Sequence, residues 1–293
     1  SSYTNPKKIS DLAFMLSFDT RDYSDGCETH QENFIRWLQA SYLSGIATDM
    51  VFENAQYKDF ARHKAIVCAH TVMVSDSVLK KLRRYVKEGG HLITIGDFAK
   101  YKPDGSLRDR ITLGRKSQQL GDGKVTVLSD DDCYDKYHWV LNISRFETDS
   151  VKTSKEVPEY AVEKLRQTGG KALLSAIDND VIVNVSSEQD IFTSLFKTRS
   201  GYALNIVNVQ NTITKEGVAN HYIPITPYEK GATAIKHDIN IKIHMDIPVK
   251  KISLHSPERS RSLNIPFIKQ ADGTLSFTIP KKKFAGYALV VIK

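Results

Sequence analysis

The chain has 293 residues, of which 41% are hydrophobic, 26% charged and 9% aromatic. This composition is typical of a globular protein and excludes a disordered, collagen-like or fibrous chain, and the length predicts two domains. No window approaches the roughly 18 consecutive apolar residues that a membrane-spanning helix needs. Three cysteines, Cys27, Cys68 and Cys133, lie too far apart for a disulfide framework or a paired metal site, so we expect free thiols, mostly buried.

The net charge of +7 resides in the second half of the chain. Residues 1–150 hold 21 basic and 21 acidic side chains, whereas residues 151–293 hold 20 and 13. Apart from Lys281–Lys283, the basic residues of the second half are scattered along the sequence. We therefore expect lysines that guard a solvated sheet edge rather than a phosphate-binding track, and no nucleic-acid partner.

The first half alternates strand-like and helix-like stretches. The helix predicted over 75–88 has apolar residues at helical spacing, a cap at Ser75 or Asp76 and Gly89-Gly90 at its end. An earlier helix follows a polar loop at 19–28 and places Phe34 and Trp37 on one face. Strands are predicted at 12–18, 48–53, 64–70, 91–96 and 123–128. This alternation predicts a parallel sheet with helices on both faces.

After about residue 150 the pattern changes to strands interrupted by one short helix near 158–167, which predicts domains at 1–150 and 151–293. Clean alternation of apolar and polar residues at 239–245 and 274–279 indicates strands with one buried face. Further strands are predicted at 172–177, 181–187, 191–198 and 201–209. Turn residues between these strands favour antiparallel hairpins. We therefore predict that the strands pack into an antiparallel β-sandwich.

Polar residues at the carboxyl ends of the predicted parallel strands are the first candidates for a site, because such sheets bind ligands at that edge. They are Asp19, Glu53, His70 and Asp97. His70 could act as an acid or base, with Asp97 or Asp19 as its orienting carboxylate. The alternative is that residues leaving a strand are polar simply because they re-enter water.

The sequence gives weaker support to the other candidate site residues. Cys68 lies in an apolar run, where a cysteine is more often a small buried hydrophobe than a nucleophile. The acidic run at 130–132, with Asp135, lacks the spacing of a calcium loop, so we predict no metal. Residues 19–26 contain no glycine-rich phosphate motif, so we predict no cofactor. Trp37 has core spacing, whereas Trp139 could either pack at the domain junction or stack on a sugar ring.

One stretch resembles a known family. The segment 74–93 reads Val-Ser-Asp-Ser-Val-Leu-Lys-Lys-Leu-Arg-Arg-Tyr-Val-Lys-Glu-Gly-Gly-His-Leu-Ile and follows the strand-like run 64–70. Together with the Gly-Asp-Gly-Lys-Val-Thr-Val-Leu run at 121–128, it resembles the trimerisation domain of glycoside hydrolase family 42 β-galactosidases. The resemblance covers roughly residues 11–130. More loosely, 201–208 and 286–292 resemble the carboxyl-terminal β-sandwich modules of glycosidases.

The resemblance implies a class I glutamine amidotransferase-like fold, close to flavodoxin-like, followed by an all-β sandwich. It also implies a non-catalytic role, and no cysteine follows the strand in Thr94-Ile-Gly-Asp97, where such amidotransferases carry their nucleophile. The enzymes of this family take their two carboxylates from an upstream barrel of about 250 residues. The expected function is therefore oligomerisation, structural support or carbohydrate contact within a glycoside hydrolase, with the barrel, a carbohydrate or a second copy of the chain as partner.

Two alternatives remain. The chain could be a stand-alone carbohydrate-binding protein that uses Trp139, or a small-ligand enzyme that uses Asp19, His70 and Asp97 at the strand ends. No catalytic residue is assigned in the preferred interpretation.

Overall fold

The computed structural model describes seven segments of the chain, namely 6–23, 28–109, 113–130, 165–186, 191–208, 235–245 and 247–293. Within them the chain forms two compact units that interleave in sequence. The α/β unit comprises described residues from 10–130 and 165–181, and the β unit comprises the residues before 10 and after 181. The predicted junction at residue 150 lies outside the described residues and stays a prediction.

The α/β unit is built on one six-stranded sheet. Its strands are β2 (Leu12–Leu16), β3 (Thr48–Phe52), β4 (Ala65–Ala69), β5 (His91–Ile95), β6 (Gln118–Leu120) and β7 (Gly123–Leu128). They lie in the order β3-β2-β4-β5-β7-β6, and all neighbours are parallel except β6, which pairs with β7 antiparallel. Strands β4 and β5 are buried along their whole length, as expected for the middle of a parallel sheet.

Helices cover this sheet. They are α1 (Phe18–Tyr23), α2 (Glu28–Leu43), α3 (Tyr57–Ala61), α4 (Asp76–Lys87) and α5 (Lys171–Ala176), the last preceded by a π-helix at Arg166–Gly170. Helix α4 is the one its sequence predicts: Ser75 accepts a hydrogen bond from the Val78 backbone N–H at 3.3 Å, and Gly89 leaves the helix with φ +100°. None of the described helices is long and apolar enough to cross a membrane.

Two local predictions were wrong. Residues 19–23 form part of helix α1 rather than a loop, because contacts from distant residues fix the start of that helix. Residues 171–176 form helix α5 rather than a strand at 172–177. A short apolar run does not distinguish a buried strand from a buried helical turn, and this run continues a π-helix that packs on α2.

The β unit is an antiparallel sandwich. Its strands are β1 (Lys7–Ile9), β8 (Val183–Ser186), β9 (Ile191–Thr198), β10 (Gly201–Asn208), β11 (Ile239–His244), β12 (Ile252–His255), β13 (Leu263–Asn264), β14 (Phe267–Lys269), β15 (Thr274–Ile279) and β16 (Tyr287–Ile292). The six-stranded sheet has the order β1-β9-β10-β16-β12-β13, and the four-stranded sheet has the order β14-β15-β11-β8. Buried side chains such as Leu204, Ile241, Phe277 and Val290 from the two sheets form one core. The predicted combination of an α/β domain and an antiparallel sandwich is confirmed.

Gly123 provides a test of the packing between β7, α4 and the turn before β5. A Cβ at this position would lie 2.2 Å from the carbonyl oxygens of both Gly90 and Val86, so the backbone would have to move. We expect Gly123→Ala to lower the free energy of unfolding by about 3 kcal/mol in urea titrations, as overpacking does. Gly45→Ala is the control, because Gly45 has φ +73° but nothing within 4 Å, and we expect only about 1 kcal/mol from backbone strain. Equal losses would contradict the account.

His91 provides a pH test. Burial, helped by the charge of Lys124, lowers the pKa of His91 from 6.5 to about 4 in the folded chain. As the pH is lowered from 6.5 to 4, the unfolded chain therefore takes up a proton on His91 that the folded chain does not. The free energy of unfolding falls by about 3 kcal/mol over this decrease in pH. The His91→Gln variant should lose this part of the pH dependence in urea titrations at pH 7 and pH 4.5. An unchanged difference between the two pH values would contradict the assignment.

Candidate functional site

The order of the parallel strands locates the place where a site would form. From β2 the chain crosses outward to β3 on one side, and from β4 it crosses to β5 on the other. The strand order thus reverses between β2 and β4, and a crevice opens beyond the carboxyl ends of strands at such a reversal. Ser17 follows β2, Glu53 follows β3 and His70 follows β4 at this edge.

The carboxylate of Glu53 joins the loops that leave β2 and β3. Its Oε2 accepts a hydrogen bond from the Ser17 hydroxyl at 2.7 Å, and its Oε1 accepts one from the Asp19 backbone N–H at 2.9 Å. Glu53 is only 5% exposed. Lys81 of α4 donates to the backbone carbonyl of Glu53 at 2.9 Å, which places a cation beside this buried segment. The carboxylate is therefore held by two donors and a nearby positive charge.

Thr20 extends this network to the loop after β4. Its hydroxyl donates to the Met73 carbonyl at 2.9 Å and accepts from the Met73 backbone N–H at 3.0 Å. The hydroxyl of Ser17 accepts from the Thr20 backbone N–H at 3.1 Å. Ser17 and Thr20 are fully buried. The polar groups at the strand-order reversal are thus bonded to one another.

His70 lies beside this network in a special backbone conformation. Its φ is +44°, in the left-handed region that a residue with a side chain rarely adopts. The imidazole lies against Gly96 after β5, where a Cβ would lie 2.5 Å from Nε2. The carbonyl of His70 accepts a hydrogen bond from Nδ1 of the buried His30 at 2.9 Å. The conformation is therefore supported from two neighbouring elements, α2 and the end of β5.

The carboxylate partner of His70 is Asp130, which follows β7. Nε2 of His70 lies 2.9 Å from Oδ2 of Asp130, and Oδ1 of Asp130 accepts from the buried indole N–H of Trp37 at 3.2 Å. Burial alone raises the pKa of Asp130, but the bonds from His70 and Trp37 and the charge of Arg36 bring that pKa below its ordinary value. Burial lowers the pKa of His30. Asp130 thus accepts from the Trp37 indole and lies within ion-pair distance of the His70 imidazole.

The remaining predicted site residues do not join this pair. The side chain of Asp97 is 61% exposed and lies 3.5 Å from the ammonium of Lys100. Asp19 contributes its backbone N–H to Glu53, as described above. Neither is the carboxylate that orients His70, in contrast to the expected pairing. Trp139 lies outside the described residues, so its two interpretations stay predictions.

The described residues contain no group of three or more metal-ligating side chains. Of the acidic run at 130–132 with Asp135, only Asp130 lies in the described part. Cys68 is buried and free, and burial raises the pKa of its thiol far above the ordinary range, which leaves it an unreactive core residue. Cys27 and Cys133 lie outside the described residues.

Part of the chain matches a known family model. Residues 15–96 match the family model of the β-galactosidase trimerisation domain, so the predicted resemblance is confirmed for the segment from β2 to the end of β5. No curated protein matches the chain at a significant level.

Solved structures share the fold over nearly the whole chain. The α-L-fucosidase isoenzyme 2 of Paenibacillus thiaminolyticus aligns with 99% of this chain at 14% identity and a TM-score of 0.56. The β-galactosidase of Bacillus circulans sp. alkalophilus aligns with 96% at 10% identity and a TM-score of 0.53. A catalytic mutant of Gan42B, a GH42 β-galactosidase from G. stearothermophilus, aligns with 98% at 10% identity and a TM-score of 0.54. The chain spans 49%, 41% and 41% of these proteins, respectively.

We expect neutralisation of the Glu53 carboxylate and of the exposed Asp97 carboxylate to change the free energy of unfolding by different amounts. Glu53→Gln keeps the shape of the side chain but removes the charge that two donors face, and we expect it to lower the free energy of unfolding by about 2 kcal/mol. Asp97→Asn removes an exposed charge and should change this free energy by less than about 0.5 kcal/mol. Urea titration at pH 7 measures both variants. A larger loss for Asp97→Asn than for Glu53→Gln would contradict the structural role of Glu53.

Proposed function

We propose that this chain is a non-catalytic region of a glycoside hydrolase that serves self-association and structural support, with the catalytic barrel elsewhere in the enzyme. The observation that carries the proposal is the match of residues 15–96 to the β-galactosidase trimerisation domain. The hydrogen bonds that join the polar groups at the strand-order reversal to one another support a structural rather than a catalytic use of this edge. The barrel that would supply two carboxylates needs about 250 residues of its own.

The finer fold assignment is part of the proposal. The parallel strands in the order β3-β2-β4-β5-β7 follow the 2-1-3-4-5 order of flavodoxin-like sheets, which supports the class I amidotransferase-like fold for the α/β unit. After β5 the chain continues with Gly96 and Asp97, so this strand end offers no cysteine for amide hydrolysis. We therefore propose the fold without the amidotransferase reaction.

An apolar surface on the α/β unit is the proposed contact with a second copy of the chain. Phe52 of the edge strand β3 stacks on Phe18 of α1, with ring centroids 5.7 Å apart and planes 7° apart. At the other end of α1, Tyr23 packs on Tyr101 at 5.7 Å. We call these four residues the aromatic ridge. Phe52 is 43% exposed and Tyr23 is 49% exposed.

The ridge is flanked by two more exposed apolar side chains. Met50 lies on the same face of β3 as Phe52. Leu107 forms an isolated antiparallel β-bridge with Tyr101 through the backbone. Exposed apolar and aromatic side chains gathered on a folded unit indicate an interaction surface, and aromatic residues are frequent among those that contribute most to binding. Because the matched domain is described as a trimerisation domain, a second copy of the chain is the proposed occupant.

Sedimentation equilibrium tests this proposal. We expect the chain to sediment at three times its 33.0 kDa mass, and the Phe52→Lys variant to sediment at 33.0 kDa, because a lysine ammonium in a buried apolar contact is costly. Ile268→Lys is the matched control, since Ile268 is an exposed apolar residue on β14 of the sandwich, and it should keep the trimer mass. A monomeric wild-type chain, or a trimer that survives Phe52→Lys, would contradict the proposed surface.

Two assays separate the alternatives. Turnover of aryl glycosides by the purified chain, lost in His70→Ala, would favour an enzyme at the strand ends. Quenching of tryptophan fluorescence by neutral oligosaccharides in a monomeric chain would favour a stand-alone carbohydrate-binding protein. The proposal predicts that neither occurs.

A further inference from the structure

The register of the sandwich gathers basic residues that are far apart in the sequence. Lys7 of β1 lies directly opposite Lys197 of β9, and Arg199 occupies the hairpin turn between β9 and β10. On the other side of β10, strand β16 ends at Ile292 and is followed by Lys293, whose main-chain oxygen accepts from the backbone N–H groups of Lys250 and Lys251 at 2.7 and 2.9 Å. Five adjacent strands thus bring six exposed cations to one end of the six-stranded sheet. We call Lys7, Lys197, Arg199, Lys250, Lys251 and Lys293 the basic end.

This arrangement is electrostatically unfavourable by itself. Like charges directly opposite one another on paired strands destabilise a sheet, and Lys7 and Lys197 form such a pair. Within the described residues, none of the six side-chain cations pairs with an Asp or Glu carboxylate. A fold that concentrates unneutralised cations at one end creates a positive potential that attracts a polyanion.

The acidic side chains described in the sandwich accept hydrogen bonds from backbone N–H groups away from the basic end. Asp238, Glu258 and Asp272 accept hydrogen bonds from the backbone N–H groups of Lys281, Gly286 and Thr274, respectively. Each of these bonds fixes a turn or loop of the chain. The carboxylates therefore stabilise local backbone structure and leave the basic end uncompensated among the described residues.

We propose that the basic end binds an acidic polysaccharide, a linear chain that bears sulfate or carboxylate groups. With strands about 4.8 Å apart, the cations from β1 to β12 extend over roughly 20 Å, which suits an extended chain with repeated charges. Five of the six are lysines, whose ammonium groups act as mobile point charges and need no planar partner. The choice of a polysaccharide rests on the proposed function as part of a glycoside hydrolase.

The surroundings favour a polysaccharide over a single-stranded nucleic acid. Sequence-independent binding of single strands uses aromatic side chains on which bases stack. The aromatic residue aligned with Lys197 is Tyr202, which packs against the sandwich core. The basic end therefore offers charges without an exposed stacking platform among the described residues.

Binding of the full chain to dextran sulfate, with uncharged dextran of the same length as reference, tests the inference. By fluorescence anisotropy of labelled polymer at low ionic strength, we expect dextran sulfate to bind, dextran not to bind, and the affinity to fall as salt is added. The triple variant Lys197→Gln, Lys250→Gln and Lys251→Gln should weaken binding at least tenfold. The control triple Arg261→Gln, Lys282→Gln and Lys283→Gln removes the same charge outside the basic end and should weaken binding less than twofold.

The outcomes are distinct. Equal weakening by the two triple variants would show an effect of net charge alone and overturn the site. Tighter binding of an oligothymidylate of matched charge would overturn the polysaccharide as ligand. Absence of binding by the wild-type chain would overturn the inference and leave the proposed function intact, whereas a monomeric wild-type chain that still binds dextran sulfate would contradict the self-association only. Urea titrations of both triple variants confirm that any loss of binding occurs in folded protein.

Discussion

The buried carboxylate of Glu53 holds together the carboxyl edge of the parallel sheet. It fixes Ser17 and the start of α1, and α1 in turn presents Thr20 to the loop after β4. A buried charge is tolerated only when hydrogen-bond donors surround it. Separating the loops that supply these donors would therefore cost the free energy of an uncompensated buried carboxylate. The same bonds engage the polar groups at the edge where a sheet of this order would bind a ligand. This network supports the proposed non-catalytic role of the α/β unit.

The position of α1 also creates the aromatic ridge. Because Glu53 anchors the first turn of α1, Phe18 meets Phe52 at one end of the helix and Tyr23 meets Tyr101 at the other. Stability and the proposed self-association thus depend on the same short helix. The sandwich differs in its surface, because the register of its paired strands concentrates positive charge at one end. Its apolar residues pack into a core between the two sheets.

The sequence patterns predicted the elements whose signals are local. Strands β7 and β15 coincide with the predicted ranges, and α4 is recognised by its cap, its apolar face and its terminal glycines. The start of α1 was missed because its donors are satisfied by Glu53, 34 residues away from Asp19. The pairing of His70 with Asp130 was missed for the same reason, since the order of strands β4, β5 and β7 decides which strand ends meet. The scattered lysines likewise became a cluster only through the pairing of strands.

Hydrogen exchange at the backbone amides of Asp19, Thr20 and Met73 tests the central claim that this edge is closed. These three N–H groups donate to Glu53, Ser17 and Thr20, respectively, so they report on every link of the network. The account predicts slow exchange, with an opening free energy close to that of global unfolding, because the links break only when the sheet edge comes apart. Exchange of all three amides orders of magnitude faster than that of the β4 amides would show an edge that opens to solvent, and would contradict the account.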